Sequence, residues 1–89
     1  MTARFNKAQR SVTLVWDGVI GAEIYPVFCE RTPIGTGPYT AIAKPSTTQV
    51  DLTEKEMPVG VEMECWVRAA LADGSRESSD SNHITHTNQ

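Results

Sequence analysis

The sequence has no run of basic residues, no long apolar segment and few aromatic side chains. Its 8 Lys and Arg residues are outnumbered by 11 Asp and Glu residues, which gives a formal net charge of −3. A nucleic-acid-binding protein needs a clustered basic surface, so the sequence predicts no nucleic-acid partner. No apolar run approaches the ~20 residues required to cross a bilayer, and we therefore expect no membrane partner.

Patterns that signal catalysis or cofactor binding are also scarce. His83 and His86 are the only histidines, and their spacing on a strand places them on opposite faces, which does not favour a metal site. No glycine-rich loop that could hold a phosphate precedes a helix. We therefore predict that the protein is not an enzyme and that it has no metal site and no cofactor.

Cysteine is limited to Cys29 and Cys65, and both lie on the apolar face of an alternating segment. The first ten residues lack the apolar core of a signal peptide, so we expect a protein made in the cytoplasm without a signal peptide. Disulfides seldom persist in that compartment. Free, buried thiols are therefore the favoured interpretation, and a disulfide is the alternative.

What the sequence does contain is alternation of apolar and polar side chains with period two. The clearest case is the segment 61–72, in which Met63 and Cys65 share the inward face while Trp66 and Arg68 share the outward face. This pattern is typical of a strand with one face in a core, and the Asp-Gly pair that follows it indicates a hairpin turn. Further strands are predicted at 11–17, 23–32, 39–44, 47–53 and 76–87, with an additional edge strand near Phe5.

One hydrophobic core is expected, because a chain of 89 residues buries too little surface to support two. The inward positions of the predicted strands supply that core. Its predicted members are Trp16, Tyr25, Val27, Cys29, Met63, Cys65 and Val67. Strands joined by turns, with no helical period between them, predict an all-β fold.

Several short segments follow one another in a characteristic order. Val12-Thr13-Leu14-Val15-Trp16 comes first, then Tyr25-Pro26-Val27-Phe28-Cys29, Gly37-Pro38-Tyr39-Thr40-Ala41-Ile42-Ala43, and Val67-Arg68-Ala69 with Asp73-Gly74-Ser75. In this order the chain resembles a fibronectin type III domain. The resemblance implies an antiparallel, seven-stranded Greek-key β-sandwich of the immunoglobulin-like type over 11–87, with an N-terminal arm or edge strand at 1–10 and a loose tail at 88–89.

The chain departs from that family at one corner. Met63 stands where the family carries a tyrosine whose hydroxyl ties down the preceding loop, and Val59-Gly60 replaces the usual Pro-Gly. A methionine cannot make that hydrogen bond. We therefore expect this corner to be less rigid or to be held by packing alone.

Trp66 and Arg68 are the first candidates for a protein interface, because they are predicted to point outward and both residue types are enriched at binding hot spots. The alternative is that Trp66 lies across its neighbours on the same sheet or is covered by a loop. An exposed Trp66 predicts that Trp66→Ala changes stability by no more than about 1 kcal/mol, whereas Trp16→Ala costs roughly 3 to 5 kcal/mol. Further interface candidates are the hairpin at 72–77, with Asp73, Ser75 and Arg76, and the N-terminal arm, with Phe5 and Arg10.

Other protein subunits are the expected partners. We expect a non-enzymatic structural protein of a bacteriophage virion, which decorates the head or tail. It would dock through a face and an edge of the sandwich on a capsid protein, a tail protein or a second copy of itself. A single small domain without a secretion signal suits a particle assembled in the cytoplasm. The alternative is a binding module from a larger adhesin, receptor or secreted polysaccharide-degrading enzyme, which would be monomeric and would recognise its ligand through loops at one end.

Overall fold

The computed structural model describes residues 1–6 and 8–89, and these residues form six β-strands without a helix. The strands are β1 (Thr2–Asn6), β2 (Ser11–Val15), β3 (Val27–Arg31), β4 (Gln49–Leu52), β5 (Glu62–Val67) and β6 (Ile84–Thr87). They make two antiparallel sheets of three strands, with the orders β1-β2-β4 and β3-β5-β6. The predicted all-β class is confirmed, and the two sheets are consistent with a β-sandwich. The described residues contain six strands, so the predicted number of seven is wrong.

Apolar side chains from both sheets belong to one buried cluster, so the core lies between the sheets. Val12 and Leu14 of β2 and Val27 of β3 have exposed fractions of 0 %. Every residue that alternation assigns to the core lies in this cluster. The structure adds Leu52 from β4 and Met57 from the connection that follows it. Within the part of the chain that the structure describes, no helix is long and apolar enough to cross a membrane.

The segment predicted as a strand at 39–44 is not a regular strand, which accounts for the lower strand number. It pairs with β3 at one point, where the Val27 N–H donates to the Ala43 carbonyl and the Val27 carbonyl accepts from the Ile42 N–H, both at 2.8 Å. Pro38 and Pro45 bracket the segment, and a proline has no N–H to extend a ladder. The pairing therefore stays limited to one residue of β3.

Proline also shortens the strand predicted at 23–32, which is regular only over β3. Pro26 is buried and has no N–H, although its carbonyl accepts a hydrogen bond from the Arg68 N–H at 3.0 Å. Pairing resumes beyond it at an isolated bridge between Ile24 and Ala70. Pro26 thus marks a break in the ladder, as expected for a proline inside a sheet.

Serine side chains replace part of the strand predicted at 76–87, which is regular only over β6. The Ser78 hydroxyl accepts from the Ala69 N–H at 2.9 Å, and the Ser81 hydroxyl accepts from the Val67 N–H at 3.0 Å. The N–H groups of the same serines donate to the carbonyls of those two residues at 2.8 Å. Two hydroxyls therefore stand in for main-chain carbonyls, and the segment stays attached to β5 without forming a regular ladder.

Cys29 and Cys65 form a disulfide between two neighbouring strands of one sheet. They are directly opposite each other on β3 and β5, and their Cα atoms are 4.1 Å apart. Both belong to the core cluster, in keeping with the alternation. The expectation of free thiols is wrong, because the alternative, a disulfide, is present.

Asn88 anchors the C-terminal end, and its exposed fraction is 0 %. Its side-chain amide donates to the carbonyls of Arg10 and Met57, both at 2.8 Å. The main-chain carbonyl of Asn88 accepts from the Gly60 N–H at 2.8 Å. The prediction of a loose C-terminal tail is therefore wrong for Asn88. The loop before Met63 is tied by these hydrogen bonds, so the expectation that packing alone would hold it is also wrong.

Candidate functional site

Trp66 lies on the outer face of its sheet but is covered on every side, with an exposed fraction of 0 %. The Phe28 ring stacks at a centroid distance of 5.6 Å with an interplanar angle of 9°, and the His83 ring stacks at 4.4 Å with an angle of 3°. Tyr39 meets the indole edge-on at 5.0 Å. The predicted exposure of Trp66 is wrong, and the alternative, a tryptophan covered by its sheet neighbours and a loop, describes it.

Arg68 completes this cover and is held in place by two carboxylates. Its guanidinium lies 4.7 Å from the centre of the Phe28 ring, a cation–π distance. Its Nε donates to Asp80 at 2.6 Å and its Nη1 donates to Glu77 at 3.1 Å. The side chain is 28 % exposed, so part of it remains on the surface. A partner could therefore contact only the exposed part of a guanidinium that already binds Asp80 and Glu77.

His83 is bonded to a carboxylate at each ring nitrogen. Its Nδ1 is 2.6 Å from Glu64 Oε2, and its Nε2 is 2.9 Å from Asp80 Oδ2. Partial burial lowers the pKa of His83, but the hydrogen bonds and charges of the two carboxylates raise it by more, so this pKa lies above its usual value of 6.5. Partial burial raises the pKa of Asp80, whereas His83 and Arg68 lower it by more, so the net direction is downward.

The connection between β2 and β3 places two apolar side chains in water. The exposed fraction is 104 % for Ile20 and 51 % for Val19. A turn holds them, in which the Ala22 N–H donates to the Val19 carbonyl at 3.1 Å and Gly21 has a φ of +86° that favours glycine. The Val19 N–H also donates to the Tyr25 hydroxyl at 2.9 Å. The exposed tip is thus fixed to a core residue.

The hairpin at 71–77 lies beside this tip, and together they form what we call the loop end of the domain. The Ala72 N–H donates to a carboxylate oxygen of Glu23 at 3.0 Å, which joins the two loops. A groove of about 290 Å³ runs between them. Its lining includes Val19, Ile20, Leu71 and Arg76.

The three candidates on the hairpin have different roles. The Asp73 carboxylate accepts from the Ser75 N–H at 2.9 Å and from the Ser75 hydroxyl at 2.6 Å, and these bonds lower the pKa of Asp73. Asp73 and Ser75 therefore build the turn that Gly74 completes with a φ of +85°. Arg76 is exposed and lines the groove, so it is the hairpin candidate that remains available to a partner.

The N-terminal candidates lie elsewhere. Phe5 belongs to β1, is half-buried and has its ring 5.9 Å from that of His86. Arg10 is exposed and lies 3.8 Å from Glu54. It precedes β2, whereas the exposed tip follows β2, so Arg10 and the loop end are at opposite ends of that strand. Residue 7 of the predicted arm at 1–10 lies outside the described residues. The structure does not join these candidates to the hairpin.

Sequence reasoning missed the two residues that are most exposed at the loop end, Val19 and Ile20. A signal existed, because an apolar pair between Gly18 and Gly21 sits in a segment too glycine-rich to continue a strand. It also missed the partners of Trp66. Phe28 meets Trp66 through strand register and Tyr39 through a long connection, and neither follows from spacing along the chain.

Groups of three or more His, Cys, Asp or Glu side chains arranged to hold a metal ion do not occur among residues 1–6 and 8–89. No protein-family model matches the chain, and no curated protein is significantly similar to it.

Proposed function

We propose that this chain is a non-enzymatic protein-interaction domain that binds another protein through its loop end. One observation carries the proposal. Ile20 projects fully into water from a turn that is hydrogen-bonded to the core, and it borders a groove next to a hairpin. Single exposed apolar residues are common, but an exposed pair on a fixed turn beside an apolar groove matches the apolar centre of an interface.

Charged groups around this centre support the same interpretation. Arg76 lines the groove, and the exposed carboxylates of Asp17 and Glu23 belong to the loops that form or flank it. An interface of this kind has a dry apolar centre and a polar rim that excludes water. The partner that fits it has an apolar pocket for Ile20 and basic groups at the margin.

We further propose that the domain is fibronectin type III-like. Immunoglobulin-like sandwiches place their third, sixth and seventh strands in one sheet. β3, β5 and β6 would occupy those positions, and β1, β2 and β4 would form the opposite sheet. The one strand of the family that has no regular counterpart would be the segment at 39–44, which is reduced to a single point of pairing with β3.

The specific role that we propose is that of a bacteriophage virion component, bound to a capsid protein, a tail protein or a second copy of the chain. The disulfide between Cys29 and Cys65 supports a protein that works in an oxidising setting, and virion surfaces are one such setting. β1 and β4 are the outer strands of their sheet and offer backbone groups for strand pairing as a second contact.

The experiment that tests this role is quantitative mass spectrometry of assembled particles purified from the native source. A fixed ratio of this chain to a major shell or tube protein is the expected result. Absence of the chain from every particle fraction would contradict the virion role.

Incorporation of variants then tests the loop end. Ile20→Asp should lower incorporation into particles by roughly tenfold or more, the loss typical of a hot-spot side chain. Val59→Asp is the matched control, because Val59 is also exposed, at 40 %, and lies in the connection between β4 and β5. Its incorporation should match that of the wild-type chain. Equal incorporation of both variants would rule out docking through Ile20.

The second candidate function is that of a binding module within a larger adhesin, receptor or secreted polysaccharide-degrading enzyme. The loop end favours it, because such a module binds its ligand through loops at one end, and the disulfide suits a secreted protein as well as a virion. The two functions differ in assembly. A module should be monomeric by analytical ultracentrifugation and absent from particles, whereas the virion component should be present at fixed stoichiometry.

A further inference from the structure

The outer face of the β3-β5-β6 sheet carries a chain of charges that the proposed function does not use. Glu64, His83, Asp80, Arg68 and Glu77 follow one another through hydrogen bonds of 2.6 to 3.1 Å. Three of these groups are carboxylates and two are cationic when His83 is protonated. These bonds connect Glu64 of β5, and Arg68 just after β5, to the segment 77–83. They therefore fix that segment to the sheet.

The hydrogen bonds of His83 favour its protonated form. A neutral imidazole has one N–H and one lone pair, so it can donate to only one of two carboxylates. Here both ring nitrogens are within 2.9 Å of a carboxylate oxygen. Only the imidazolium, which donates from both nitrogens, satisfies Glu64 and Asp80 together. The cation also lies parallel to the Trp66 indole at 4.4 Å, where the ring face favours positive charge.

We propose that His83 is a pH-sensitive lock, which as an imidazolium fastens the segment 77–83 over Trp66 and as a neutral imidazole releases part of that segment. Loss of the proton leaves either Glu64 or Asp80 next to the lone pair of an imidazole nitrogen, which cannot donate a hydrogen bond. Arg68, which is bonded to Asp80 and Glu77, is then the one cation left among these five groups. The segment therefore loosens at its His83 end, and Trp66 loses part of its cover.

The other groups that face His83 do not replace its charge. On β3, Glu30 is opposite Glu64 in register and adds a further acidic group. On β6, Thr85 is opposite Glu64 and is not titratable. From the connection after β3, Tyr39 contacts the indole edge. None of these side chains supplies a second cation next to Glu64. The N-terminal ammonium of Met1 donates to the Asn82 side chain at 2.6 Å, so this cation holds the same segment through Asn82 and not through Glu64 or Asp80.

The direction of the pH effect follows from the raised pKa of His83. A group whose pKa is higher in the folded state stabilises fully below its unfolded pKa, which for histidine is about 6.5. That contribution is lost as the pH rises through the folded pKa of His83, above 6.5. The lock is therefore closed below pH 6.5 and opens as the pH rises through the raised pKa of His83.

Proton NMR tests the lock directly, because the chain has only two histidines. The ring C–H signals of His83 should titrate with a midpoint above 6.5, and the indole N–H signal of Trp66 should follow the same curve. Assignment uses His86→Gln, in which this coupled transition should persist. A His83 midpoint at or below 6.5, or a Trp66 signal that does not move with it, would overturn the proposal.

Hydrogen exchange measures the release of the segment. The Val67 and Ala69 N–H groups donate to Ser81 and Ser78, so their exchange reports the attachment of this segment to β5. After correction for the intrinsic effect of pH, their opening should increase by roughly 3- to 10-fold above the His83 midpoint, as expected for one partly exposed charged hydrogen bond. Opening that does not change with pH would contradict the lock.

A pair of conservative variants separates the lock from a general effect of charge. Glu64→Gln should lower the His83 midpoint and weaken its coupling to Trp66. Glu62→Gln is the matched control, because Glu62 is an exposed carboxylate on the same strand that accepts from the Thr32 hydroxyl at 2.7 Å and has no bond to His83. It should leave the midpoint close to that of the wild type. Equal shifts in both variants would show that the overall negative charge, and not the bond to His83, sets the transition.

Discussion

Trp66 occupies an outward position of β5 and is nevertheless the largest fully buried side chain among the described residues. Two parallel rings and the edge of Tyr39 exclude water from it. Aromatic pairs of this kind stabilise beyond the area that they bury. The domain thus has a small aromatic layer outside its sheet in addition to the core between the sheets.

Trp66→Ala should destabilise the protein by about 3 to 5 kcal/mol, as large-to-small changes of a buried tryptophan do. Trp16→Ala should cost a similar amount, because Trp16 is also buried and its ring lies 5.7 Å from that of Tyr25. Urea titrations of the two variants and the wild-type chain measure these losses as differences in the free energy of unfolding. A loss below about 1 kcal/mol for Trp66→Ala would mean that its cover opens in solution.

Two strands in this domain, β3 and β6, begin after a position where a hydrogen-bonding group is missing or replaced. Pro26 interrupts the ladder before β3, and the hydroxyls of Ser78 and Ser81 replace the ladder before β6. The irregular parts still hold their places, because each keeps polar contacts to β5 or its extension. The element boundaries are therefore set by chemistry at single positions and not by the end of the apolar pattern.

The disulfide joins strands β3 and β5 and should contribute strongly to the free energy of unfolding. It closes a loop over a sequence separation of 36 residues, and the loss of chain entropy in the unfolded state gives about 3 to 4 kcal/mol. The combined variant Cys29→Ala and Cys65→Ala should lose at least this much in guanidinium titrations. Its control is the wild-type chain with and without a reductant, which keeps the same side-chain volumes.

Intact-mass measurements after alkylation in denaturant without a reductant test the bond itself, because both cysteines are buried in the folded protein. No alkylated cysteine should be found in the unreduced protein. Two alkylated cysteines, together with equal stability before and after reduction, would contradict the disulfide.

At the scale of the whole molecule, Asn88 links segments that are far apart in the sequence. Its side chain joins Arg10, at 78 residues' separation, to Met57, at 31 residues' separation, and its carbonyl holds Gly60. The start of β2, the connection after β4 and the end of the chain therefore meet at one buried side chain. This contact also ties the loop that precedes Met63.

Asn88→Ala should destabilise the whole domain by about 2 to 3 kcal/mol, because it leaves two carbonyls without their donor. Gln89→Ala is the matched control, because Gln89 is next to Asn88 and its side chain is exposed. This substitution should change the free energy of unfolding by no more than about 0.5 kcal/mol. Thermal unfolding followed by circular dichroism compares the two variants. Equal melting temperatures would show that the end of the chain does not support the fold.

The pattern of residues alone predicted the all-β class, the antiparallel character and the inward faces. It did so because period-two alternation is local, and because Val12, Leu14, Cys65 and Val67 take their face from the neighbours on either side of them. The turn at Asp73-Gly74 was predictable for the same reason. Its hydrogen bonds involve residues within two positions of each other.

Contacts between distant segments determine what covers Trp66, what holds Asn88 and which apolar side chains stay in water. Phe28 and His83 reach the indole through strand register and through a segment held by serine hydroxyls, which are contacts between residues distant in sequence. Ile20 is exposed because a turn directs it away from the core. The neighbouring residue, Val19, is tied to that core by its hydrogen bond to Tyr25. Burial depends on what the rest of the chain places nearby, and alternation gives only the direction in which a side chain points.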